Sequence, residues 1–277
     1  MGSPTSRDGS GFLAPGALRV TGHGGEAAEA PVPVLDGLEE LRGRTIAAGD
    51  VLRWYVHPEL DEAQTWAATH IALDLELDDG SRLSQAAPRD QYGTEATARG
   101  LGEGRILYAD QWNDVQVDLS ALAGRTITEV LAVLDAPGDP EADLLDAADG
   151  PEGWTQVEPE PLTAWVDGPY LAARPADPPL EDSVAWVDTR RGTNASGDFS
   201  RGNTLPLTAL PNGFALFTPA TDARTRRWVY EHHRANGPDN RPRLQAMALS
   251  HQPSPWMGDR HQLMMMPLLG AAPDASP

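Results

Sequence analysis

Residues 70–78 (HIALDLELD) decide the fold class of this chain. Isoleucine or leucine occupies every second position of this stretch, and three of the alternate positions are acidic. A period of two predicts a β-strand with one buried face and one polar face. Asp79-Gly80 follows directly, and this dipeptide is typical of a β-hairpin turn. We therefore expect a half-buried strand that ends in a hairpin.

Three further segments are typical of strands. Residues 51–56 (VLRWYV) form an aromatic and branched run, and Val115, Val117 and Leu119 alternate with polar residues. Residues 129–135 (EVLAVLD) are largely apolar on both faces, as in a strand buried inside a sandwich. Short strands separated by turn signals predict an all-β chain, with an N-terminal jelly-roll sandwich followed by a partial β-sandwich.

The composition excludes several classes of function. The 277 residues include 41 acidic and 21 basic ones, which gives a formal charge of −20, and there is no lysine or cysteine. So acidic a chain repels phosphate, and we expect neither nucleic acid nor a membrane among its partners. The absence of cysteine excludes disulfides and thiolate metal sites. No signal peptide is recognisable, so we expect a cytoplasmic protein unless the true start lies upstream.

Charge also divides the chain. Residues 1–183 hold 34 acidic and 11 basic residues, whereas residues 184–277 hold 7 acidic and 10 basic residues. The stretch 174–183 (RPADPPLEDS) is rich in proline and acidic residues, which favours an extended linker. We therefore expect a poorly ordered leader over residues 1–34, a jelly-roll module over 35–173, this linker, and a partial sandwich over 184–277.

The first part resembles galactose-binding-like jelly rolls, the fold of many carbohydrate-binding modules. The resemblance lies in residues 117–135 (VDLSALAGRTITEVLAVLD), and Trp112-Asn113 and residues 165–167 (WVD) fit the same pattern. It implies sugar binding by this module. Trp66 and Trp112 are the preferred candidates because polar loop residues surround them, while at least one of Trp54, Trp66 and Trp112 should fill the core.

The second part is similar to the N-terminal domain of glycoside hydrolase family 92, the calcium-dependent exo-acting α-mannosidases. Residues 187–193 (VDTRRGT), 202–214 (GNTLPLTALPNGF) and 250–259 (SHQPSPWMGD) carry this resemblance. In that family a β-sandwich packs on a helical toroid and the sugar binds between them. The resemblance implies inverting hydrolysis of terminal α-mannosides, with the general acid, the general base and most calcium ligands in the helical part.

The loop 250–259 supplies the candidate substrate-binding residues His251, Trp256 and Asp259. Its two prolines restrict the loop, which lowers the entropy lost on binding. Trp256 is the expected stacking platform for a sugar, and the other two side chains would hydrogen-bond its hydroxyl groups. The alternatives are a core tryptophan, a structural histidine and a turn-forming aspartate.

The sequence stops at Pro277, before any helical toroid. We therefore expect the N-terminal, carbohydrate-binding portion of a family 92-like α-mannosidase, which binds α-mannoside glycans or the missing helical domain without turnover. No catalytic residue and no metal ligand is assigned, and calcium is implied only for the complete enzyme. Two alternatives remain open: a free-standing lectin-like module, and an interaction protein whose acidic first part docks a basic partner.

Overall fold

The fold is seen in a computed structural model. It describes residues 11–25, 27–32, 41–60, 66–138, 161–174, 205–211, 213–222, 229–230, 236–250 and 263–267, with residues 181, 184 and 187. The chain divides into two compact units, of which the first spans Gly11–Pro175 and the second contains the described residues that follow it.

The first unit contains two antiparallel sheets. One has four strands in the order β1-β7-β3-β5, and the other has three strands in the order β2-β6-β4. A seven-residue helix, α1, precedes β5. The elements are β1 Leu18–Gly22, β2 Ala28–Pro31, β3 Asp50–Pro58, β4 Ile71–Leu77, α1 Ala98–Gly104, β5 Asn113–Asp118, β6 Ile127–Leu134 and β7 Leu162–Ala173.

The inner faces of the two sheets share one hydrophobic core. The alternating apolar residues of β4, from Ile71 to Leu77, are all at most 3% exposed. They belong to the same buried cluster as Leu52 and Trp54 of β3, in the other sheet. Two sheets that bury one common core form a β-sandwich. The prediction of an all-β chain is confirmed, as is the strand predicted at residues 70–78.

One face of β4 differs from the prediction. Asp74 lies on the face expected to be polar and solvated, yet it is only 5% exposed. A short 3₁₀ turn, Leu83–Ala86, covers it: the Ser84 backbone N–H and hydroxyl donate to the Asp74 carboxylate at 3.0 and 2.6 Å. The expected turn at Gly80 does form, with φ of +81°. The segment that follows this turn folds back over the strand and satisfies the buried acid.

Residues 18–31, within the predicted leader over residues 1–34, form β1 and β2 and correct that expectation. β1 pairs with β7, and β2 pairs with β6, both antiparallel. Val20 is 3% exposed and joins the core. The segment has few apolar residues of its own. Its order therefore comes from pairing with distant strands and not from a local pattern of apolar residues.

The second unit contains a three-stranded antiparallel sheet in the order β10-β9-β8. Its strands are β8 Leu216–Ala220, β9 Ala246–Ser250 and β10 Leu263–Met265. Small side chains and Val229 form its described core: Ala220, Val229, Ala246 and Ala248, with Met264 packed against them. Within the described part of both units, no helix is long and apolar enough to cross a membrane.

We expect Leu75→Ala to lower the free energy of unfolding by about 2–5 kcal/mol, because Leu75 is fully buried between the sheets. Leu60→Ala removes the same atoms from a side chain that is 48% exposed, and it should cost less than about 0.5 kcal/mol. Urea unfolding of both variants measures the difference. Equal losses of stability would contradict the sandwich core described above.

Candidate functional site

The outward face of the four-stranded sheet carries a concave cleft. The alternation of β3 sends Leu52, Trp54 and Val56 into the core and leaves its intervening residues outside. The cleft has a volume of about 250 Å³. We call it the outer cleft; its walls come from β3, β5, β7 and the loop before α1, namely Val51, Arg53, Arg89, Asp90, Gln91, Gln116, Asp118, Ala172, Ala173 and Arg174.

Arg53 is held in a fixed orientation at the outer cleft. Its Nε donates to Asp114 Oδ1 at 2.7 Å and its Nη2 to Asp114 Oδ2 at 2.8 Å. The guanidinium carbon lies 5.6 Å from the centre of the Tyr55 ring, a cation–π contact. The hydrogen bond to Asp114 raises the pKa of Arg53 above its usual range. The arginine is therefore charged and oriented before any ligand arrives.

Glutamine side chains stiffen the edge of the cleft beside β5. Gln91 Oε1 accepts from the Gln116 backbone N–H at 2.9 Å, and Gln91 Nε2 donates to the Asp114 carbonyl at 2.7 Å. Gln116 Nε2 also donates to Asp114 Oδ2 at 2.7 Å. The two bonds of Gln91 join the loop before α1 to β5, and the bond between Gln116 and Asp114 lies within β5.

The other end of the cleft holds an exposed ion pair. Arg174 Nη1 donates to Asp118 Oδ2 at 3.3 Å, and the Ser120 backbone N–H donates to Asp118 Oδ1 at 2.8 Å. The hydrogen bonds from Ser120, then the nearby Arg174, lower the pKa of Asp118. Asp118 is therefore an ionised acceptor at neutral pH. Arg89, nearer the loop, donates through Nη1 to the Gly93 carbonyl at 2.7 Å.

An aromatic cluster covers the remaining part of the same sheet face. The Phe12 ring stacks on Trp112 with centroids 5.0 Å apart and 15° between the planes. It also lies 5.1 Å from the Tyr55 ring, and His57 meets Trp112 at 5.5 Å in an edge contact. Desolvation lowers the pKa of His57, so its ring is neutral at physiological pH.

Asp167 of β7 fixes the segment that carries Phe12. Its buried carboxylate accepts backbone N–H bonds from Phe12, from Leu13 at 3.1 Å and from Ala14 at 3.0 Å. Burial raises the pKa of Asp167 to about 6, against the lowering effect of these three bonds. The segment Gly11–Ala14 therefore closes over an acid that is costly to keep ionised.

The structure places the two tryptophans predicted to bind sugar in loops that lead to strands of different sheets. Trp112 precedes β5, and one of its ring faces is already covered by Phe12. Trp66 is 47% exposed and precedes β4, next to the short 3₁₀ turn Ala67–Thr69. Neither lines the outer cleft. At least one of Trp54, Trp66 and Trp112 is expected in the core, and Trp54 lies there with 0% exposure.

His251, Trp256 and Asp259 lie outside the described residues, so their sugar-binding role stays a prediction. Calcium stays a prediction as well. Among the described residues, no group of three or more histidine, aspartate and glutamate side chains is arranged to hold a metal ion.

No pattern in the sequence predicts most of the residues that line the outer cleft. A visible signal exists for Arg53, since a cation in the middle of the apolar run 51–56 must face away from the core. Arg174 falls in the predicted linker 174–183, but its backbone N–H donates to the Gly49 carbonyl at 2.8 Å. That contact binds it to the first unit. No local pattern predicts such a bond between residues 125 positions apart.

Comparison with known proteins assigns no family to this chain. No protein-family model matches the sequence, and no curated protein matches it. The chemistry of the outer cleft is therefore the basis on which a function is assigned.

Asp167 should make stability depend on pH. Its pKa of about 6 in the folded protein exceeds the ordinary value of 3.8. The folded state thus binds this proton more tightly, and stability falls as pH rises through 6. We expect this carboxyl to remove about 1 kcal/mol of unfolding free energy between pH 5 and 7.

Asp167→Asn keeps an acceptor for the segment Gly11–Ala14 but cannot ionise. Urea unfolding of wild type and variant at pH 5, 6 and 7 should give stability curves that converge at low pH and separate at high pH. Parallel curves would show that Asp167 titrates normally in the folded protein.

Proposed function

We propose that the first unit binds carbohydrate in the outer cleft. The observation that carries the proposal is the guanidinium of Arg53, clamped by Asp114 and Tyr55 at the wall of a concave sheet face. A donor held in this way loses little entropy when a ligand binds, and preorganisation of this kind raises affinity. An arginine needed only for stability would not have to line a cleft.

The lining of the cleft matches the surface of a sugar ring. Guanidinium and carboxylate groups, such as those of Arg53 and Asp118, stand near the small apolar side chains of Val51 and Ala172. Sugar hydroxyl groups donate and accept hydrogen bonds, while the C–H bonds of the ring pack on apolar surface. A volume of about 250 Å³ lies just below the range of roughly 300–1,000 Å³ for drug-sized ligands. The size favours one sugar ring rather than a nucleotide cofactor.

Binding without hydrolysis fits the carboxylates of the cleft. A glycosidase needs a carboxyl with a raised pKa to protonate the leaving group. The pKa of Asp118 is lowered instead, by Ser120 and Arg174. Asp90 is 7% exposed, and its Oδ1 accepts the backbone N–H groups of Tyr92 and Thr94. Both acids thus suit recognition or loop structure better than proton transfer.

The resemblance of the second unit to family 92 α-mannosidases supports carbohydrate as the ligand class of the whole chain. On that resemblance, its expected ligand is a terminal α-mannoside, and calcium belongs to the complete enzyme. The proposal for the outer cleft does not depend on this, because it uses only residues of the first unit.

We expect Arg53→Gln to weaken glycan binding at least tenfold, because a hydrogen bond from a charged group contributes about 1.5–3 kcal/mol. A glycan microarray identifies the best-bound oligosaccharide for the wild-type chain. Titration calorimetry with that oligosaccharide then compares the variant with the wild type.

Arg42→Gln is the matched control. Arg42 pairs with Glu129 at side-chain exposures of 34% and 32%, against 33% and 30% for Arg53 and Asp114. Arg42 does not line the cleft, so its loss should leave affinity unchanged. A wild-type chain that binds no glycan on the array, or an Arg53→Gln variant that binds as tightly as wild type, would refute the proposal.

A further inference from the structure

We infer that the outer cleft selects an acidic sugar, a glycuronate whose carboxylate pairs with Arg89 and Arg174. The inference rests on the proposed carbohydrate binding and names the substrate class of the same cleft. Three observations support it: the local concentration of arginines, the hydrogen-bond donors that they leave unused, and the fact that the local acids do not take up those donors.

Arginines are concentrated at the cleft of an otherwise acidic unit. Residues 11–175 contain 10 arginines and 30 acidic residues, yet three of these arginines line the cleft: Arg53, Arg89 and Arg174. Two aspartates line it as well, Asp90 and Asp118, and Asp114 pairs with Arg53, so the positive and negative charges at the cleft balance. A site without net negative charge does not repel an anionic group as the rest of the unit does. Such a distribution favours short-range recognition over non-specific attraction.

The arginines hold more donors than their partners use. A guanidinium has five N–H donors and no acceptor. Arg53 donates through Nε and Nη2 to Asp114, whereas its Nη1 makes no hydrogen bond within the described ranges. Arg89 uses Nη1 on Gly93, and Arg174 uses Nη1 on Asp118. The remaining donors call for a ligand rich in acceptors, and a carboxylate accepts without donating.

The acidic side chains at the cleft do not accept hydrogen bonds from these remaining arginine donors. Asp90 is only 7% exposed; its Oδ1 accepts from the loop backbone, and its Oδ2 has no hydrogen-bond partner among the described residues. Asp118 accepts from both Ser120 and Arg174. Asp114 is occupied by Arg53 and Gln116. Arg89 and Arg174 are thus left with free donors, and Arg174 has a side-chain exposure of 61%.

The test compares acids with their own neutral esters. Oligogalacturonate and alginate oligomers are titrated into the full chain beside the methyl ester of each, which keeps the ring and removes the charge. Sulfated oligosaccharides of similar length form a third arm. We expect at least one acid to bind about tenfold or more tighter than its ester, since a charge-assisted pair is roughly twice as strong as a neutral hydrogen bond.

Arg174→Gln and Arg89→Gln should each remove most of the preference for the acid over its ester. A thermal melt of each variant, compared with that of the wild type, reports whether it is folded. Arg99→Gln is the control: Arg99 pairs with Asp135 at a side-chain exposure of 59%, close to the 61% of Arg174, and does not line the cleft.

The outcomes separate this inference from the proposed function. Esters or other neutral glycans that bind as tightly as the acids would overturn the acidic preference and leave carbohydrate binding intact. A sulfated ligand that binds more tightly than any uronate would overturn the assignment of a carboxylate. Failure of every glycan, charged or neutral, would overturn both proposals.

Discussion

One strand, β3, contributes both to the core of the first unit and to the outer face of its four-stranded sheet. Because successive residues of a strand face opposite sides, Leu52 and Trp54 close the core while Arg53 and Tyr55 line the outside of the same sheet. The charge on Arg53 could not lie on the buried face without a large cost, so the alternation fixes which side carries the polar site. The outer cleft is thus a direct consequence of how the sandwich buries its core, and its position depends on the register of β3 with β5 and β7.

Local pairing offsets the strong negative charge of the chain. The described salt bridges of the first unit each join an arginine to an acid, several of them across strands or between a loop and a strand, as with Arg82 and its partners Glu29 and Glu76. Exposed pairs of this kind contribute little stability individually. Their arrangement matters more for where positive charge remains. Arg89 and Arg174 have unused donors at the cleft, whereas Arg82 pairs with two carboxylates.

How far the sequence predicts this structure depends on the range of the interactions involved. The alternation of β4 and of Val115, Val117 and Leu119 is visible in sequence because burial acts on each side chain separately. β1 and β2 fall in the predicted leader because pairing with β7 and β6 orders them, and that pairing spans more than 90 residues. Helix α1 has no clear apolar period; Thr97 caps it by accepting from the Gly100 N–H at 3.1 Å. The prediction of Trp66 and Trp112 as sugar platforms rests on their polar neighbours in sequence, which do not reveal that Phe12 stacks on Trp112.

The sequence by itself determined the fold class, the apolar residues that each strong strand buries and the exclusion of thiolate chemistry, since these follow from composition and from a period of two. Only the tertiary structure decided which polar residues meet. It brought Arg53, Asp118 and Arg174 to one cleft from β3, β5 and the end of β7. It also laid Gly11–Ala14 over Asp167. Contacts between residues so distant in sequence depend on strand order and register, which are set by the packing of two whole sheets. No local stretch of sequence encodes them.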